Sequence, residues 1–347
     1  MLSNRPDESN GGNGFDIVIG NPPYVVTNDY VYHNYFTYDS FELYAYFFEK
    51  GIELSKTGGV LTYITSSLYI KGVKYESLRK FLEMSTQLIE FVNQGDNVFE
   101  NVSMPTATFV GRKGKGNWSC LELNPLTKVA LKISKNQKKL EDISDIMRGL
   151  EIGRDMVLNN GDIPCVTGTT VVKYVPKEIK YISKRTLHEY SKATKYFTKE
   201  RILLRETGRF LLAVYLDKLL YSNRSLYSII ITNNCYSTKY VVACLNSHVS
   251  QFYYETMFKT DTELFPKIRI AQAKQLPIST ATTLQQRPII ELVDDILKAK
   301  KSNPQADTSR QEQEIDFLVY KLYGLTYDEV LIVDPETAIT REEYEKQ

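Results

Sequence analysis

A β-rich apolar run, Phe15-Asp16-Ile17-Val18-Ile19-Gly20, passes without a spacer into Asn21-Pro22-Pro23-Tyr24. Two consecutive prolines fix φ, remove two N–H groups and push each preceding residue into extended backbone, so no helix or ladder continues past Gly20. The chain must leave a strand into a stiff loop whose carbonyls are free to accept hydrogen bonds. In an open α/β sheet ligands gather beyond the carboxyl ends of the strands, and this turn stands at such an end. Asn and Pro are also common in plain surface turns. The strand in front of them favours the functional reading.

The chemistry that such a turn suits is methylation of an amino group. An exocyclic amine delocalises its lone pair into the neighbouring ring or carbonyl and attacks a sulfonium methyl group poorly until acceptors hold its N–H bonds. The Asn21 side-chain oxygen and the Pro22 carbonyl are candidate acceptors. Holding the nitrogen there favours a more nucleophilic geometry and aligns it for in-line transfer, with neither a general base nor a metal required. Tyr24 offers a flat face for a base extruded from a duplex.

The segment "FDIVIGNPPYV" resembles the catalytic motif of the adenine-N6 DNA methyltransferases, in particular the TaqI-like and type IIG enzymes of restriction–modification systems. The resemblance implies that Asn21 and Pro22, stiffened by Pro23, hold the adenine amino group and that Tyr24 stacks on the flipped base. Methyltransferases acting on cytosine N4 and on a protein glutamine amide share the motif, so the tetrapeptide alone does not choose among them. "NVFENVSMPTATFV" resembles the family segment whose aromatic residue sandwiches the base from the other side, and the matching position is Phe99. In the family S-adenosyl-L-methionine is bound by a glycine motif upstream of Asn-Pro-Pro-Tyr. The leading residues "MLSNRPDESNGGNG" are polar, expected to be flexible, and lack the preceding strand that a cofactor-binding glycine loop needs. The expectation is therefore a C-terminal portion, its cofactor site incomplete, partnered by an upstream half.

After a tyrosine-laden stretch containing Tyr30, Tyr32, Tyr35, Phe36 and Tyr38, expected to pack rather than to meet bases, Ser40 reads as the cap of a helix. Its apolar positions from Phe41 to Ile52 recur at helical spacing until Thr57-Gly58-Gly59. Val60–Thr65 reads as a strand, Ser66-Ser67 as the cap of a helix reaching Phe81, and Leu88–Val92 and Thr106–Val110 as further strands. The alternation predicts an α/β fold with an incomplete, parallel, doubly wound Rossmann-like sheet over residues 15–118. Trp118 is expected to anchor a domain interface.

The net charge of +1 over 347 residues announces no nucleic acid in bulk. The signal is local: residues 171–205 carry ten Lys and Arg against three Glu, interleaved with aromatics. Lys184, Arg185, Lys192, Lys195, Lys199, Arg201 and Arg205 are the candidate contacts to phosphate, although a charge-rich face is ordinarily just solvated. "IMRGLEIGRD" and "YVVACLNSHVSQFYYE…FPKIRIAQAKQLPI" resemble the opening and closing segments of target-recognition domains. That resemblance implies a mixed α+β domain over 119–280 that binds double-stranded DNA, with a helix ending near Leu245-Asn246-Ser247, then an aromatic stretch, a strand and a Leu-Pro-Ile close. Residues 281–347 read as a helical extension with apolar stripes over Leu284–Lys301 and Gln311–Tyr323.

Four separated cysteines and three separated histidines imply reduced thiols and no metal site. No apolar run is long enough to span a membrane, and the cytoplasm is the default location. The reading reached is the acceptor-side and DNA-recognition portion of an adenine-N6 methyltransferase. A non-catalytic specificity subunit or remnant and a protein glutamine methyltransferase remain as alternatives.

Overall fold

A computed structural model of the chain describes residues 14–95, 98, 105–190, 195–198, 200–258 and 267–346. The chain divides into two units, Met1–Lys128 and Val129–Gln347.

The first unit is built on a four-stranded sheet. Strand β1 (Phe15–Gly20) is followed by helix α1 (Leu43–Leu54), β2 (Ser55–Ser66), α2 (Glu76–Ser85), β3 (Thr86–Gly95) and β4 (Thr106–Lys113). The order is β1-β2-β4-β3, with β1 parallel to β2, and β4 antiparallel to both β2 and β3. The expected sheet is thus mixed rather than all parallel. Hydrophobic pattern reports burial but carries no strand direction, and the short connection from β3 to β4 permits the antiparallel return that a crossover would not. The helix expected between Ser66 and Phe81 is broken: Ser66 caps a short 3₁₀ turn, Ser67–Ile70, and α2 begins only at Glu76. Likewise α1 ends at Leu54, and Gly58-Gly59 fall inside β2.

One face of this sheet carries an aromatic core. Phe48 of α1 lies 5.5 Å from Phe109 of β4 and 5.2 Å from Tyr63 of β2, and all three are buried. The Tyr63 ring occupies space left by two glycines: a methyl group on Gly51 would lie 2.5 Å from its hydroxyl, and one on Gly20 3.1 Å from its ring. Trp118 donates Nε1–H to the Thr86 carbonyl at 2.9 Å and packs, partly buried, near Phe109 of the same unit. The opposite face is bare at β1, where Ile17 and Ile19 are 65% and 79% exposed.

The second unit pairs strands β5 (Ser144–Arg148), β8 (Arg201–Arg205), β9 (Ala213–Leu216) and β11 (Leu226–Ile231) in an antiparallel sheet of order β9-β8-β11-β5. A smaller sheet joins β6 (Ile163–Val166), β7 (Lys180–Ile182) and β10 (Tyr221–Ser222). Helix α3 (Thr238–Asn246) ends where the resemblance implies, and Asn246 then clamps the edge of β9: its Oδ1 accepts from Ala213 N–H at 2.8 Å and its Nδ2–H donates to Ala213 O at 2.9 Å. The aromatic stretch forms α4 (His248–Met257). Between the aromatic stretch and the Leu-Pro-Ile close the described residues form the short helix Ile270–Lys274, and the close itself holds the two-residue strand Pro277–Ile278. Helices α5 (Thr283–Ser302) and α6 (Ser309–Leu322) turn their apolar stripes into the common core. Among the described residues no helix is long and apolar enough to cross a membrane.

His248 ties α4 to α6. Its backbone N–H donates to Asp316 Oδ1 at 2.9 Å and its Nδ1 meets Asp316 Oδ2 at 2.8 Å, with Asp334 and Lys173 also facing the ring. The Asp316 hydrogen bond raises the imidazole pKa above its ordinary 6.5. A group whose pKa is raised on folding stabilises fully below its unfolded value and loses that contribution as pH climbs through the folded one. Unfolding free energy by urea titration is therefore expected to decline as pH rises above 6.5, and His248→Gln to flatten that decline.

Candidate functional site

The parallel register Ile17↔Val60 to Gly20↔Tyr63 fixes where β1 stops. Beyond it, Pro22 is buried while Asn21 and Pro23 are exposed. Among the described residues nothing donates to the Asn21 amide oxygen or the Pro22 carbonyl. Both acceptors thus keep their hydrogen-bonding capacity in a stiff turn, since its prolines have fixed φ and the first is packed. Tyr24 is half buried against the aromatic core of the unit, and burial raises its hydroxyl pKa.

The segment after Tyr24 is closed into a loop by its own stem: Leu43 N–H donates to Val25 O and Thr27 N–H to Phe41 O, both at 2.9 Å. Glu49 of α1 holds the loop from inside, accepting from Phe36 N–H at 3.1 Å and from the Thr37 N–H and hydroxyl at 2.6 Å each. Buried Glu42 accepts from Tyr75 at 3.1 Å and pairs with Lys74 at 2.5 Å. Of the loop aromatics, Tyr32, Tyr35 and Tyr38 pack on the core as expected. Tyr30 and Phe36 instead remain exposed, and Tyr30 stacks on His33 with ring centroids 4.1 Å apart.

The basic stretch does not form one cationic face. Lys184 and Arg185 are exposed on a short helix, where Arg185 pairs with Glu189 at 2.9 Å. Arg201 is fully buried; its guanidinium donates to the carbonyls of Lys218 and Leu220, and burial pushes its pKa down to about 10. It is a structural residue and is withdrawn from the phosphate candidates. Arg205, on the same strand, lies at a cavity wall. Lys192, Lys199 and Phe99 lie outside the described residues, as does the side chain of Lys195.

That cavity, about 850 Å³ within the second unit, also includes Thr167, Thr169, Asn223, Arg224 and Lys267, which the search for charge runs passed over. Their sequence signal is the pair of small polar clusters Thr167-Gly168-Thr169-Thr170 and Ser222-Asn223-Arg224-Ser225 between apolar strands. Such clusters mark turns at strand ends, where binding residues concentrate. The four cysteines are free thiols, with Cys120, Cys165 and Cys244 buried and Cys235 exposed. Among the described residues no His, Cys, Asp and Glu group is arranged for a metal ion.

Residues 3–99 match the Eco57I restriction-modification methylase family, and residues 145–278 match the TaqI-like C-terminal specificity domain. The chain is thus similar to a restriction–modification methylase family over its first part and to a TaqI-like specificity domain over its second. It is 26% identical over 218 residues to the type II restriction enzyme and methyltransferase RM.Eco57I of Escherichia coli, covering 54% of this chain and 22% of that enzyme. In fold it is similar to the type IIL restriction-modification enzyme MmeI, solved in complex with DNA, with a TM-score of 0.51 and 12% identity over 95% of this chain and 57% of that one. The chain thus spans about a fifth of the curated relative's length and just over half of the solved one's.

Methylase families use S-adenosyl-L-methionine. A nucleotide-like cofactor calls for a glycine turn that leads from a strand into a helix. Among the described residues the positive-φ glycines fall elsewhere: Gly14 precedes β1, Gly58 lies within β2, Gly95 ends β3, Gly208 follows β8 and Gly324 follows α6.

The contrast between the two arginines is measurable by urea unfolding. Arg201→Ala removes charged donors from buried carbonyls and is expected to cost about 2 kcal/mol. Arg185→Ala, at an exposed pair, is expected to cost less than about 0.5 kcal/mol.

Proposed function

We propose that the chain is the acceptor-side and target-recognition portion of a site-specific DNA methyltransferase acting on adenine N6. The observation that carries this reading is the pair of unengaged acceptors, Asn21 Oδ1 and the Pro22 carbonyl, at the carboxyl end of β1 in a segment matched to a restriction–modification methylase family. The specificity domain that follows favours DNA over a protein glutamine as the substrate.

In this reading the two acceptors hold both N–H bonds of the adenine amino group, pyramidalise the nitrogen and fix its direction of attack. Pro23 keeps the turn stiff. Tyr24, backed by the core, stacks on one face of the flipped base and Phe99 on the other. Lys184 and Arg185 are surface candidates for phosphate. The methyl group comes from S-adenosyl-L-methionine held outside the described residues. A polypeptide that adds a strand to the free edge of β1 and covers Ile17 and Ile19 would supply that site. Residues 15–118 form the catalytic-site half, 119–280 the recognition domain and 281–347 the extension, behind a lead-in of residues 1–14. The proposed setting is the cytoplasm.

The isolated chain is expected to bind duplex DNA and to transfer no methyl group to it. When a donor-side polypeptide restores transfer, Asn21→Ala is expected to lower the rate by about 100-fold or more, the scale for removing one preorganised polar contact to a reacting group, without changing DNA affinity. Methylation by the isolated chain, or full turnover by Asn21→Ala, overturns the respective assignment. Radiolabelled methyl incorporation beside fluorescence anisotropy reads both.

A further inference from the structure

The cavity of the second unit has preformed walls. In the turn Thr167–Thr170, Thr167 N–H donates to Thr170 Oγ1 at 2.8 Å and Thr170 N–H to Thr167 O at 3.0 Å. In the turn Asn223–Ser225, Asn223 Oδ1 accepts from the Ser225 N–H at 3.2 Å and from its hydroxyl at 2.5 Å. The two turns are bolted together by Gly168 N–H, which donates to Ser225 Oγ at 2.7 Å.

Arg205 ends β8 against these turns and is short of partners. Its Nε is buried with no hydrogen-bond partner among the described residues, and one terminal nitrogen makes a single long bond to Phe210 O at 3.4 Å. The acid that lines the same cavity, Glu206, is already committed: it accepts from Arg148 at 2.6 Å and from the Tyr227 hydroxyl at 3.3 Å. Burial accordingly depresses the Arg205 pKa. A recessed guanidinium without a counter-charge is costly unless a ligand supplies acceptors. Arg224 and Lys267, by contrast, are exposed at the cavity.

We propose that this cavity is the base-reading site of the second unit, and that Arg205 reads a guanine of duplex DNA by donating to its O6 and N7 in the major groove. The inference rests on the DNA reading given above and names the residue that performs it. A planar fork of donors matches the paired acceptors of guanine. Phosphates are met by cations that reach outward and carry no sequence information, the position of Arg224 and Lys267.

The test is selection of bound duplexes from a random-sequence pool by the full 347-residue chain, followed by sequencing, with salt-dependent anisotropy on the selected duplex. The unsubstituted chain is expected to enrich a motif that contains a fixed G·C pair. Arg205→Lys, which keeps the charge and loses the fork, and Arg205→Ala should each lose roughly tenfold or more discrimination at that one pair and keep the salt slope. Joint substitution Arg224→Ala and Lys267→Ala should keep the motif and reduce the salt slope by about two. Thermal unfolding of each variant confirms that it is folded, and Arg205→Lys carries the test where Arg205→Ala is not. An unchanged motif in the Arg205 variants, or a uniform loss of affinity with a shallower salt slope, overturns the assignment and leaves DNA recognition standing. Failure of the unsubstituted chain to enrich any sequence overturns the recognition reading and this inference together.

Discussion

The Tyr63 ring sets the position of the Asn21 turn. It stands on β2 opposite Gly20, fills the space that Gly20 and Gly51 leave open, and donates its hydroxyl to the Phe47 carbonyl of α1 at 3.3 Å. Helix, central strand and β1 are thereby locked at one point. The backbone leaves the sheet one residue later, through a proline buried against the unit. Without this contact the acceptors at Asn21 and Pro22 would sit on a mobile edge. With it they sit on a fixed one, and fixed acceptors are what a weakly nucleophilic amine requires.

The same sheet bears on the proposal that the first unit supplies one side of a reaction. Doubly wound sheets are covered on both faces because their strands are apolar on both. Here α1 and α2 cover one face, while the Ile17 and Ile19 side chains of β1 stand exposed on an edge that no described strand pairs. That exposed apolar strand supports the proposal of a donor-side polypeptide as partner.

Much of the architecture was legible in the sequence, and the misses have physical causes. The strands at Val60–Thr65, Leu88–Val92 and Thr106–Val110 and the stripes of α5 and α6 follow from side-chain periodicity, which burial enforces directly. Strand direction does not follow from it, so the antiparallel β4 went unread. Counting charges along 171–205 treated Arg201 and Arg205 as equivalents. They share one face of β8 by the two-residue repeat, yet Arg201 is enclosed and Arg205 opens onto a cavity. No local pattern separates them, because the turns that form the cavity come from residues 167–170 and 223–225. The proposed acceptor turn could be put forward from sequence because its chemistry and its rigidity would come from four consecutive residues. The cavity could not, because it is assembled from distant ones.

The central claim, that the Asn21–Tyr24 turn receives an extruded adenine, is tested most directly by the energy of extrusion. Binding is measured to two duplexes that carry the selected recognition sequence, one with the target adenine paired and one with it opposite an abasic position. Unpairing a base costs a few kcal/mol that a flipping protein must otherwise supply, so the account predicts tighter binding to the second duplex and loss of the difference on Tyr24→Ala. Equal affinity of the unsubstituted chain for both duplexes would contradict it.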